Sequence, residues 1–173
     1  MKSLEPPDSH YVSSAIGWLE LGNAREAAAE LEAVAPALAR HPAVLQIWYD
    51  IHAFAKRWDL AAEAASVLAL ATPEDPAAWT KLAYATRRKP GGGIPPAREI
   101  LAAARQRFPS EVYIVYNLAC YECQLGHLPQ ARDLLHEAFK LGEALKSGAA
   151  EKLKRMSLRD PDLEPLRQEI AFL

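Results

Sequence analysis

Cysteine, glycine, long apolar runs and an excess of positive charge are all scarce in this chain, and each scarcity excludes a class of protein. Two cysteines in 173 residues cannot build a disulfide scaffold, and they fit a reducing compartment. The longest apolar stretch, residues 112–121, is interrupted by Asn117 and falls far short of the ~20 residues of a membrane-spanning helix, so no membrane segment is expected. Lysine and arginine total 20 against 22 aspartates and glutamates, a net charge of -2 that offers no basic footprint for nucleic acid. The opening residues MKSLEPPDSH carry one lysine but no apolar core, so a secretory leader is not expected and the cytoplasm is the expected location. Alternating β-branched runs are missing as well, which removes the usual strand signal.

What is present is alanine, leucine and glutamate at helical spacing, with half of all residues apolar. Ala27, Ala61, Ala97 and Ala131 stand 34, 36 and 34 residues apart, each early in an apolar helical stretch. A period in this range marks a supersecondary unit that cannot bury its apolar face alone and stacks on copies of itself. Leu21-Gly22 recurs as Leu125-Gly126, 104 residues later, which is the sum of the three alanine spacings. Within the last unit, Val115, Leu118, Ala119 and Glu122 share one helical pattern, Gly126 breaks it, and Ala131, Leu135 and Ala138 resume it. That is one helical hairpin, with glycine at the turn because it accepts left-handed backbone angles.

The set of an aromatic or large apolar residue, leucine, a small residue, glycine, alanine and proline at these offsets resembles the tetratricopeptide repeat. Four repeats are assigned: 8–41, carrying Trp18, Gly22 and Ala27; 42–75, carrying Trp48, Ala61 and Pro73 with Lys56 where the turn glycine would be; 76–111, carrying Trp79, Ala97 and Pro109; and 112–147, carrying Leu118, Ala119, Gly126 and Ala131. Residues 1–7 are expected as a flexible tail and 148–173 as C-terminal capping helices. In the cap, Asp160 or Asp162 caps a helix start, and Leu158, Leu163, Leu166 and Ile170 cover the flank of the last hairpin. The resemblance implies an all-α, right-handed solenoid of four hairpins.

The 36-residue interval contains Pro90-Gly91-Gly92-Gly93-Ile94-Pro95-Pro96, which lengthens one turn by two residues. A phosphate-cradling loop would need G-x4-G-K-S/T after a strand, and the lysine, hydroxyl and strand are not there. A turn insertion is the reading these residues support. Cys120-Tyr121-Glu122-Cys123 with His127 spells C-x2-C-x3-H, so a small metal-binding or redox protein is an alternative. A tetrahedral zinc site needs four ligands and a redox CxxC a helix beginning at the first cysteine, whereas Cys120 falls in mid-helix. His52 is expected as a satisfied core histidine, Asp133 and His136 as a surface pair. No catalytic residue, cofactor or metal is assigned.

In the resembled family the first helix of each repeat lines a concave groove, and the family's offsets place Ile16, Asp50, Phe54, Tyr84, Arg87, Arg88, Tyr113, Tyr116, Cys120, Cys123 and Gln124 there. The partner-binding residues assigned from these are Asp50, Phe54, Tyr84, Arg87, Arg88, Tyr113 and Tyr116, because tyrosine and arginine concentrate binding energy. Arg87 and Arg88 would hold a carboxylate of a peptide resting on the tyrosines. Some family members grip chaperone tails with lysine and asparagine in the first repeat; Val12 and Ile16 stand at those positions here, which argues against that role. The expected function is a non-enzymatic protein-interaction module that binds a peptide or partner helix. A secretion-chaperone-like role and weak self-association through an incompletely covered flank are the further readings.

Overall fold

Three turns in the chain repeat one hydrogen-bond pattern. The amides of Asn23, Arg57 and His127 donate to the carbonyls of Trp18, His52 and Glu122 at 2.8, 2.8 and 2.9 Å, while those of Gly22, Lys56 and Gly126 donate to Leu19, Ala53 and Cys123 at 2.9, 3.1 and 3.0 Å. This is the Schellman closure, in which one left-handed residue stops a helix and satisfies its last carbonyls. Gly22 and Gly126 adopt φ of 75° and 82°, and Lys56 adopts φ 56° at the equivalent position despite its Cβ. The missing turn glycine therefore changes the cost of the turn and leaves its shape intact.

The computed structural model describes residues 3–145, 148–170 and Phe172. Among them there are only helices and connections. In chain order the α-helices are α1 (Asp8–Glu20), α2 (Ala24–Glu32), α3 (Pro42–Phe54), α4 (Trp58–Ala71), α5 (Pro76–Arg88), α6 (Ile94–Arg107), α7 (Val112–Gln124), α8 (Leu128–Ala144), α9 (Ala149–Ser157) and α10 (Arg167–Ile170). Short 3-10 turns occupy Pro36–Leu38 and Pro161–Leu166. Prolines open α3 and α5, where the missing N–H is no loss, and the N-caps His41 and Asp75 accept from the amides of Ala43 and Ala77.

The chain forms two compact units, Met1–Gly93 and Ile94–Leu173. The division falls inside the Pro-Gly loop, and so inside the segment expected as the third repeat. Gly93 donates to the Thr86 carbonyl at 3.2 Å, and a Cβ on Gly92 would run into that same oxygen. In the first unit α1 pairs with α2 and α3 with α4, α3 also packs on the first pair, and α5 lies on α4. In the second, α7 packs on α6 and α8, α9 packs on α8, and Pro161–Leu166 lies against α7 and α8. All four alanines of the sequence period are fully buried, each 0 % exposed, which leaves no room for a larger side chain where helices cross. Leu31, Leu68, Leu101 and Leu135, four or seven residues further on, are buried as well.

Candidate functional site

In the first unit α3 and α5 carry most of the assigned residues. Asp50 accepts from Gln46 at 2.9 Å and from the Lys81 ammonium at 2.8 Å, and that ammonium also stands 4.2 Å from the centre of the Tyr49 ring. Four residues further along α3, Phe54 is 58 % exposed. Its ring passes Gly22, where a Cβ would be 3.8 Å away. On α5, Tyr84 is 39 % exposed and meets Trp58 edge to face at 5.7 Å. The Arg88 guanidinium lies over the Tyr84 ring at 3.4 Å, 5.5 Å from the Trp58 ring, and donates to the Tyr84 carbonyl at 3.1 Å. Arg88 is therefore stacked on an aromatic pair, with donors of its planar fork still left over. Arg87 is half-buried next to it.

The second unit treats the same pattern positions differently. Tyr113, at the start of α7, is 47 % exposed, but Tyr116 one turn later is 3 % exposed. The Tyr116 hydroxyl donates to Asp160 Oδ2 at 2.8 Å, and the Cys120 thiol approaches the same oxygen at 3.7 Å. Gln124 then donates to the Asp162 carbonyl at 3.0 Å. Asp160 caps its own turn through the Asp162 amide at 2.9 Å, and Leu163, Leu166 and Ile170 are buried behind it. The expectation that Tyr116 lines an open groove is corrected: the C-terminal segment covers that face of α7. Of the four residues that spacing singled out there, Leu163, Leu166 and Ile170 are buried and Leu158 is half-buried. The reach of this segment across Tyr116, Cys120 and Gln124 was not legible, because nothing local in a sequence records a contact over 44 residues.

The CxxC does not assemble as a pair with His127. Cys120 and Cys123 are both buried in α7. Burial, and then the charges of Asp160 and Asp162, push both thiols above their ordinary range, which disfavours the reactive thiolate. Burial likewise raises the Tyr116 phenol. The nearest set of metal-type donors is Cys120, Asp160 and Asp162, within 4.8 Å of one another. The Asp160 carboxylate there is already committed to a phenol, a thiol and an amide. His127 instead meets Glu122 Oε2 at 2.7 Å, and Arg98 of α6 donates to the other oxygen. Burial alone would raise the Glu122 carboxyl, but the hydrogen bonds from His127 and Arg98 outweigh it and hold it below the usual carboxylate range. A lone glutamate in an apolar helix was the only sequence sign of this junction.

Paired helices, left-handed turns in register and fully buried alanines define a helical-repeat fold of the tetratricopeptide type. The chain is similar in structure to the solved MamA RS-1 ArsTM double mutant, with TM-score 0.69 at 16 % identity over 82 % of this chain and 78 % of that one. MamA is itself a tetratricopeptide-repeat protein. No family model and no curated protein matches the chain. No helix among the described residues is long and apolar enough to cross a membrane.

Proposed function

We propose that this protein is a non-enzymatic interaction module that binds a peptide or partner helix on the α3–α5 face of its first unit. The supporting observation is the exposure of two large rings, Phe54 on α3 and Tyr84 on α5, the second of them stacked under Arg88. Aromatic rings and arginine with few free rotors lose little entropy on binding and bury much area, which is why they dominate interaction energies. The helical-repeat fold is of a class that builds such surfaces from stacked hairpins. The Asp50–Lys81 pair contributes register and specificity more than affinity, because both groups keep solvent contact. Tyr113 is exposed and Tyr116 buried on the second unit, and both lie outside this face. The cytoplasm remains the proposed location.

Selection of a random peptide library on the intact protein tests this reading. Enriched peptides should bind the wild type and lose roughly tenfold or more in affinity to F54A/Y84A, since truncating a central aromatic anchor costs about 2 kcal/mol. Peptides that bind both proteins equally would place the interaction elsewhere.

A further inference from the structure

Opposite that face, α3 is the floor of two clefts, both within the first unit. One, of about 810 Å³, runs along α2 and is lined by Ala24, Arg25 and Ala28, with Arg57 at its end. The other, of about 330 Å³, lies on the α4 side next to Leu60 and Val67. Trp48 and His52 line both clefts. They lie at positions roughly 200° around α3 from Asp50 and Phe54, so the two surfaces are separate.

His52 is not the satisfied core histidine its position suggests. Its ring stacks on Trp48 at 5.4 Å and 21°, and its Nδ1 is buried with no hydrogen-bond partner. A buried N–H without an acceptor is costlier and rarer than a buried lone pair, which assigns the proton to Nε2. Burial first, and then the charge of Arg57, lower the His52 pKa, with Asp59 and Glu63 opposing weakly, so the ring is neutral at pH 7. Among the described residues Nε2 forms no hydrogen bond, and it is the ring nitrogen that is not buried. Arg25 and Arg57 are both exposed, and neither forms an ion pair among the described residues. Glu32 stands at the same cleft, and Arg40 and Glu63 at the other. The α2 side thus combines two unpaired guanidiniums, one acidic group and an apolar floor, next to a neutral ring that lines both clefts.

We propose that the α2–α3 cleft is a second docking site, for an acidic side chain of a partner protein, whose carboxylate is held by Arg25 and Arg57 and by the Nε2–H of His52 while its stem lies on Trp48 and Ala28. Planar guanidiniums match a carboxylate, and the aromatic floor gives the methylenes a place out of water. A carboxylate next to the ring favours its charged form, the reverse of the effect of Arg57, so occupancy raises the His52 pKa.

The test is an NMR titration of the intact protein with a capped tetraglutamate peptide, with capped tetraglutamine and free glutarate as comparison probes. The His52 ring resonance should move saturably with tetraglutamate and its pKa should rise, while His10 and His136 stay still. R25Q/R57Q should weaken binding by about tenfold or more through loss of charge-assisted bonds. Both arginines are exposed, and a thermal melt confirms that the variant folds. No saturable shift by about 10 mM, equal binding of tetraglutamine, or an unchanged R25Q/R57Q affinity overturns the proposal. Glutarate binding as well as the peptide overturns the partner assignment in favour of a small carboxylate. Because F54A/Y84A leaves this cleft intact, failure here and failure of the α3–α5 reading are told apart.

Discussion

The α3–α5 face of the first unit and the α7 face of the second occupy matching pattern positions and meet opposite fates. On the first, Phe54 and Tyr84 remain open to solvent and their neighbours pair among themselves through Asp50–Lys81 and Arg88 on Tyr84. On the second, Tyr116, Cys120 and Gln124 all turn to one segment of the same chain, Asp160 to Leu163. A short run with a capping aspartate, a proline and one buried leucine is bound there as a partner peptide would be. Pattern position fixes which way a side chain points, and only the rest of the fold decides whether solvent reaches it.

Breaking the covered side should have the largest effect. Leu163 is fully buried, so Leu163→Ala should cost about 2–5 kcal/mol by denaturant unfolding of the second unit. It should also speed modification of Cys120 by a thiol reagent, which the native fold should resist because burial favours the protonated thiol. A variant as stable and as unreactive as the wild type would mean that the segment does not hold the face closed.

Glu122→Gln probes the junction under the same helix and should cost about 2 kcal/mol, less than a fully buried ion pair because Arg98 and His127 are half exposed. Its pH dependence has a definite sign. A carboxyl whose pKa is lowered in the folded state stabilises it above the unfolded pKa, and that contribution is lost as pH falls through the folded pKa. Wild-type stability should therefore fall on the acid side more steeply than that of Glu122→Gln, and parallel acid limbs in the two proteins would contradict the pairing.

Removing single hydroxyls compares the two faces directly. Tyr116→Phe should lose about 1 kcal/mol with its bond to Asp160, whereas Tyr84→Phe should leave the melting temperature unchanged, because the stacked Arg88 contact uses the ring. The smallest effect belongs to the turns. Lys56 stands at φ 56° where Gly126 stands at 82°, so Lys56→Gly should stabilise the first unit by about 0.5–1 kcal/mol, the relief of strain less the added entropy of the unfolded chain. A destabilised Lys56→Gly would show that its stem packs more usefully than its backbone is strained.

The fold was legible because its information is local and periodic. Alanines 34 or 36 residues apart mark helix crossings, and all four proved fully buried. Residues stopping α1, α3 and α7 could be placed by register, Lys56 included. The candidate surface was legible by direction only. Phe54 and Tyr84 are exposed, while Tyr116 is closed off by Asp160, 44 residues away, and no periodicity encodes that contact. The His52 orphan is invisible for a similar reason: its position reads as packing, and only in the folded chain does Nδ1 meet no partner among the described residues.

Hydroxyl-radical footprinting of the native protein, with and without a library-selected peptide, tests the contrast between the faces most directly. Phe54 and Tyr84 should be modified readily and become protected when the peptide binds, while Tyr116 should resist modification in both states. Rapid modification of Tyr116, or protection that appears at Tyr113 and leaves Phe54 and Tyr84 reactive, would contradict an open first face and a self-covered second.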